Sequence, residues 1–227
     1  MATSSAAGNG VADKPVLVRD PTKGLALVCG NTVLRADYTA LLPRIRSHAV
    51  QKELLVRAAK VKGVKDPVAV DATAGLGEDS LLLAAAGFEV TLFERDKTIA
   101  ALLIDAVARA RETPELAQVA SRMHVIEGDS VDGLRHLGFC PHVVFLDPMF
   151  PQRAKSSAVK KKLQMIQQLE QPCNNEAELL DAALATRPRK VVIKRPIKGP
   201  HLAGARPSYS LAGKAVRYDV IVPPQHG

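Results

Sequence analysis

From Val68 onward the chain alternates short apolar runs with helical stretches, and that alternation restricts the fold more than any single motif does. Val68-Ala69-Val70, Glu89 to Phe93, Met123 to Ile126, Val143 to Leu146 and Lys190 to Ile193 have the length and aliphatic content of strands. Between them Asp79 to Ala86, Lys97 to Arg111, Val159 to Leu169 and Glu176 to Ala185 read as helices, the first ended by Gly87. Tyr218 to Val222 reads as a final strand. Several of these strands are apolar along their whole length, so both faces must be covered. Helices on both sides of a parallel sheet provide that cover, which predicts an α/β, doubly wound architecture.

Upstream the pattern differs. Pro15 to Arg19 and Leu25 to Cys29 are β-like runs around an Asp20 to Gly24 turn, and Val33 to Arg35 is a third. From His48 to Val61, Val50, Leu54, Leu55, Ala58 and Ala59 share one helical face. The expected organisation is a disordered tail over 1–12, a small N-terminal β element over 13–47 and an α/β domain over 48–227. There are no internal repeats.

Charge and cysteine content narrow the partners. The net charge is +8 and the pI about 9.5, which favours a polyanion. Cys29, Cys140 and Cys173 are far apart, with no CxxC pair and no Cys/His zinc spacing. Reduced thiols, a cytoplasmic location and no metal are expected. No apolar run approaches the roughly 20 residues needed to span a bilayer. The first ten residues have no apolar core of a secretory signal, and a monomer is expected.

The first strand runs into Asp71-Ala72-Thr73-Ala74-Gly75-Leu76-Gly77. Gly75 and Gly77 suit a tight strand-to-helix turn that a ligand approaches closely, with free N–H groups and the helix dipole turned toward an anion. Asp71 ends the strand. Glu94 ends the next strand, 19 residues after Gly75, where a carboxylate can grip ribose hydroxyls. Asp129 and Ser130 follow the third strand, where they can meet an adenine edge. A dinucleotide fingerprint needs a third glycine where Ser80 stands. Glu78 and Asp79 put negative charge at the loop mouth, which would repel a pyrophosphate but suits a sulfonium. The set therefore favours S-adenosylmethionine (SAM) over NAD.

Asp147-Pro148-Met149-Phe150 closes the fourth strand, at the edge where open α/β sheets bind ligands. Asp147 and the Pro148 carbonyl can accept the hydrogens of a planar amine, and Phe150 can stack on its ring. An exocyclic amine of a base is a poor nucleophile because its lone pair is delocalised, so orientation in a desolvated pocket matters more than strong base. Just after this motif, residues 151–200 hold eleven Lys or Arg against four acids. Arg153, Lys155, Lys160, Lys161, Lys194 and Arg195 are the candidates for contact with an RNA backbone.

These runs resemble a known family. Asp71 to Gly77, Phe93-Glu94-Arg95, Leu146 to Pro151 and Val192-Ile193-Lys194-Arg195-Pro196 look like the bacterial small-subunit (16S) ribosomal RNA guanine-N2 methyltransferases of the J type. The resemblance covers about Leu25 to Val222. Glu78 stands where an arginine is common, and Asp129 where a serine is common. The resemblance implies a Rossmann-like methyltransferase sheet of six parallel strands with a reversed seventh. It implies SAM as methyl donor, N2 of one guanine in 16S rRNA as acceptor, and ribosomal RNA or the small subunit as partner. By position it carries over Glu78, Asp79, Glu94, Arg95, Asp129, Ser130 and Asp147 as cofactor residues. Three rivals remain: an adenine-N6 or other amino-methyltransferase, a noncatalytic RNA-binding assembly protein on the same fold, and, disfavoured by Ser80, an NAD oxidoreductase.

Overall fold

The structure is a computed structural model that describes residues 14–148 and 175–224. The expected tail over 1–12, the expected helix Val159 to Leu169, and Phe150 with the basic residues that follow it lie outside the described residues.

The N-terminal part is a three-stranded antiparallel sheet of β1 (Val16–Asp20), β2 (Gly24–Cys29) and β3 (Thr32–Leu34). A 3-10 turn over Tyr38–Leu41 follows, then α1 (Leu42–Ile45), α2 (Ser47–Val50) and α3 (Leu54–Ala59). The α/β part comprises β4 (Val68–Asp71), α4 (Glu78–Ala85), β5 (Glu89–Glu94), α5 (Lys97–Glu112), α6 (Pro114–Ala120) and β6 (Met123–Glu127). It continues with α7 (Ser130–Arg135), β7 (Val143–Leu146), α8 (Glu176–Ala185), β8 (Lys190–Pro196), β9 (Tyr209–Ala212) and β10 (Val216–Ile221).

The main sheet has the order β6-β5-β4-β7-β8-β10-β9. From β6 to β8 neighbours pair in parallel. β10 pairs antiparallel with both β8 and β9. Six strands therefore point one way and β10 alone is reversed, as the resemblance implied. β9 had no reading in the sequence, because Tyr209–Ala212 is short and, at the sheet edge, largely exposed.

The period of two along each strand sorts the core into two layers. Phe145, Val143, Leu92 and Val192 face the layer that includes Leu81, Leu83 and Leu103. Val144, Leu146, Val191 and Ile193 face Leu134, Leu179 and Ala183. Burying each large aliphatic or aromatic side chain is worth about 1.5–3 kcal/mol, so this double cover supplies most of the drive to form the sheet.

The single helix expected over His48 to Val61 is two helices. Glu53, at the break, is extended (φ −61°, ψ 132°). That turn returns its carboxylate to Arg44, which donates through Nε and Nη2 at 2.8 Å each. Val50 and Val56 then pack together against Leu82. α6 follows from Thr113 as N-cap and Pro114 in the first turn, a start signal that the apolar pattern had hidden.

Asp105 on α5 fastens the N-terminal sheet to the domain. It accepts from Arg19 (3.0 Å), from the Leu25 amide (2.9 Å) and from Arg109 (2.7 Å). Arg109 also donates to the Ala36 carbonyl at 2.6 Å. Among the described residues no helix is long and apolar enough to cross a membrane, and no cluster of three His, Cys, Asp or Glu could hold a metal.

Candidate active site

Parallel pairing puts the carboxyl ends of β4, β5, β6, β7 and β8 on one edge, and most of the sequence candidates converge there. Asp71 is buried at the end of β4. One of its oxygens accepts the Thr73 amide at 3.0 Å, the other the Ser80 hydroxyl at 2.5 Å. Ser80, which replaces the third glycine of a dinucleotide loop, thus holds the strand-end carboxylate. Burial pushes the Asp71 carboxyl up to about 7, against the pull of those two donors.

The glycine loop turns through left-handed conformations at Gly75 (φ 53°) and Gly77 (φ 77°). A Cβ at Gly75 would meet nothing within 4 Å, so that side of the loop is open to a ligand. A Cβ at Gly77 would lie 2.5 Å from the Tyr38 hydroxyl and 2.6 Å from Leu103. Tyr38 donates to the Leu76 carbonyl at 2.9 Å, so the N-terminal segment braces the loop from beneath. The sequence held no sign of this, since Tyr38 and Leu76 are 38 residues apart.

Glu94 is buried at the end of β5. Its Oε2 accepts the Gly75 amide at 2.9 Å and its Oε1 the Asp96 amide at 2.8 Å. Burial raises its proton affinity, with both amides opposing. Each oxygen keeps a second lone pair, so the carboxylate can brace the loop and still accept a hydroxyl. Arg95 and Glu78 are exposed beside it. Asp129 is exposed and caps α7, accepting from Val131 (2.8 Å) and Asp132 (3.2 Å) through Oδ1. Its Oδ2 and the half-buried Ser130 remain on the same edge.

An open glycine turn, a helix N-terminus, and a strand-end carboxylate one strand away form a cradle that fits SAM. The turn's amides suit the amino-acid carboxylate and Glu94 suits a ribose.

Asp147 and Pro148 follow β7 next to this cradle. The Asp147 amide donates to the Thr73 hydroxyl at 2.6 Å, which ties the acceptor motif to the glycine loop. The Asp147 carboxylate meets Lys194 of β8 at 2.9 Å, and Lys194 meets Asp79 of α4 at 2.5 Å. Burial pushes the Asp147 carboxyl above its ordinary value; Lys194 opposes this and Asp79 adds to it. Burial alone would lower the Lys194 ammonium, but Asp147 and Asp79 outweigh it and hold it well above its ordinary range. Tyr218 of β10, paired with Lys194, faces the same charges, and burial first and Asp79 second raise its hydroxyl.

Three sequence expectations change place. Lys194 lies between Asp79 and Asp147 and is about a quarter exposed. Asp79 belongs to the same cluster, where Lys194 neutralises it. Arg195 is 1% exposed and donates to the Pro200 carbonyl (2.9 Å) and to Glu176 (3.2 Å), a setting that anchors β8 to the next loop and to α8. The alternation of a strand sends Lys194 and Arg195 to opposite faces, which their adjacency in sequence conceals. Arg153, Lys155, Lys160 and Lys161 lie outside the described residues.

Comparison with known proteins adds to the geometry. The family model "Putative SAM-dependent methyltransferase" matches residues 21–223. A Thioalkalivibrio sulfidiphilus protein named ribosomal RNA small subunit methyltransferase J is 44% identical over 176 residues, 77% of this chain and 69% of the relative. A Pseudomonas aeruginosa protein of the same name is 46% identical over 169 residues, 74% of this chain and 65% of the relative. The matched stretch thus spans about two thirds of these relatives' length. The crystal structure of a SAM-dependent methyltransferase from Neisseria gonorrhoeae superposes with a TM-score of 0.73 at 30% identity, covering 95% of this chain and 85% of that one. The glycine cradle, the strand-end carboxylates and these relationships agree: this chain belongs to the SAM-dependent methyltransferases, in the family of ribosomal RNA small subunit methyltransferase J.

Proposed function

We propose that this protein transfers a methyl group from SAM to the exocyclic N2 amine of a guanine in small-subunit ribosomal RNA. The observation that carries the reading is Asp147, set at the carboxyl edge of β7 and tied through Thr73 to the glycine cradle. The names of the relatives above support the RNA substrate. When bound, SAM supplies an electrophilic methyl group. Gly75, Gly77 and the start of α4 would hold its carboxylate, with Asp71 keeping the turn in shape. Glu94 and Arg95 would hold its ribose, Asp129 and Ser130 would meet its adenine, and Glu78 would face its sulfonium.

The remaining work belongs to the chain. Asp147 and the Pro148 carbonyl accept the amine hydrogens and turn the lone pair toward the incoming methyl group. Orientation within a partly desolvated pocket replaces solvent reorganisation. Once the N–C bond forms, the nitrogen carries an excess proton, and the raised proton affinity of Asp147 suits it to take that proton. Phe150 stacks on the guanine, and Arg153, Lys155, Lys160 and Lys161 hold the backbone, roles that rest on the sequence motif and its charge. The base must be unpaired or flipped to reach this edge. Widely spaced cysteines favour the cytoplasm, and we take the active form to be a monomer.

Labelled SAM mixed with small subunits lacking the modification should place label in guanosine. Asp147→Ala should lower the rate by at least about a hundredfold. Full labelling by the variant would refute the role of Asp147. Label in adenosine would favour the adenine-N6 alternative, and failure to bind SAM would favour a noncatalytic RNA-binding protein.

A further inference from the structure

We infer that Lys194, held against Asp147, donates a hydrogen bond to O6 of the acceptor base and so makes the site select guanine over adenine. The inference rests on the guanine-N2 reading above. Lys194 projects from β8 opposite Tyr218 of β10. Its ammonium has three donor hydrogens. Two point to carboxylates, at 2.5 Å from Asp79 Oδ2 and 2.9 Å from Asp147 Oδ2. The third meets no acceptor among the described residues, and about a quarter of the side chain is exposed (24%). Asp147 Oδ1 accepts no hydrogen bond among the described residues, and a third of that side chain is open (34%).

Side by side, these atoms present acceptor, acceptor, donor: Oδ1, Oδ2 and Nζ. The Watson–Crick edge of guanine presents the complement, with N2–H, N1–H and O6. Adenine would bring the N1 lone pair against a carboxylate oxygen and an amine against the ammonium, so it is rejected on two counts. A flipped base is read along this edge in enzymes of this kind. Sites that hydrogen-bond a substrate group discriminate strongly against analogues lacking it, because buried polar groups are left unpaired. A simple counter-ion for Asp79 and Asp147 would also sit here, but would be indifferent to what stands at position 6 of the base.

The test uses small subunits reconstituted on rRNA that carries either guanine or 2-aminopurine at the methylated position. 2-Aminopurine keeps the N2 amine but lacks both O6 and the N1 hydrogen, so the change in the ratio on replacing Lys194 is what reports the contact with O6. The wild type should favour guanine in kcat/KM by at least about a hundredfold. Lys194→Met should narrow that ratio about tenfold or more, and Lys194→Gln, which keeps an N–H donor, should narrow it less. A wild-type ratio near one overturns the inference, as does an unchanged ratio in Lys194→Met. If thermal melting shows that Lys194→Met does not fold, the wild-type ratio and Lys194→Gln decide. If the wild type labels no guanine, the acceptor assignment fails and this inference fails with it. Guanine labelled at a ratio near one overturns only the selectivity of Lys194.

Discussion

Asp71 shows how one side chain ties a strand end to a cofactor turn, and its protonation makes that tie measurable. In the folded protein its carboxyl titrates at about 7, against an ordinary value of 3.8. Between those values the folded protein holds a proton that the unfolded chain has released. The contribution of this group to stability is therefore present below about pH 4 and lost as pH rises to about 7. Asp71→Asn removes the titration and keeps an amide able to bond Thr73 and Ser80. Urea unfolding at stepped pH should show the wild type losing stability relative to Asp71→Asn across that window, with a flat difference above it. A constant difference from pH 4 to pH 8 would mean that the carboxyl is not shifted.

At the scale of elements, a few polar contacts decide how the N-terminal sheet and the loops attach to the main sheet. Asp105 gathers Arg19, Arg109 and the Leu25 amide at one point on α5. Asp105→Ala leaves the Leu25 amide and the Arg109 Nε without their acceptor and should cost about 1–3 kcal/mol, discounted for the exposure of Arg19. Urea unfolding reads the loss, and faster proteolysis in the Asp20 to Gly24 turn reads its location. Equal proteolysis in both proteins would show that apolar packing of Leu27 and Leu34 against α5 suffices to dock the sheet. A second anchor sits at the other end of the chain. Arg217 donates to the Pro196, Ile197 and Gly199 carbonyls and to Asp219, which also accepts from His201 and Ser210. That network fixes the loop after β8, beside the acceptor cluster.

For the molecule as a whole, the parallel sheet delivers Asp71, Glu94, Asp129, Asp147 and Lys194 to one edge from five strands. The chain as a whole carries a net charge of +8, which favours a polyanionic partner. Binding to the proposed rRNA substrate should weaken by at least about tenfold between 50 and 200 mM salt, through counterion release. A filter-binding titration at several salt concentrations measures the slope, and salt-independent binding would remove the phosphate contacts from the account.

The sequence alone determined six of the seven strands of the main sheet, the helices α4, α5 and α8, and the strand-end positions of its carboxylates. Those follow from local rules: apolar runs bounded by glycine, caps and charge, with a period of 2 or 3.6. It also carried the motifs from which the family and its use of SAM were legible, and from which the role proposed for Asp147 was read. Tertiary structure decided the rest. It broke the expected helix at Glu53, whose carboxylate meets Arg44. It set Tyr38 beneath Gly77, and it buried Arg195 while turning Lys194 toward Asp79 and Asp147. In each case the partner lies on another element, 9 to 115 residues away, and no local pattern encodes such a distance. Burial then makes these contacts matter, because a charge or hydroxyl removed from water must find a partner wherever the fold supplies one.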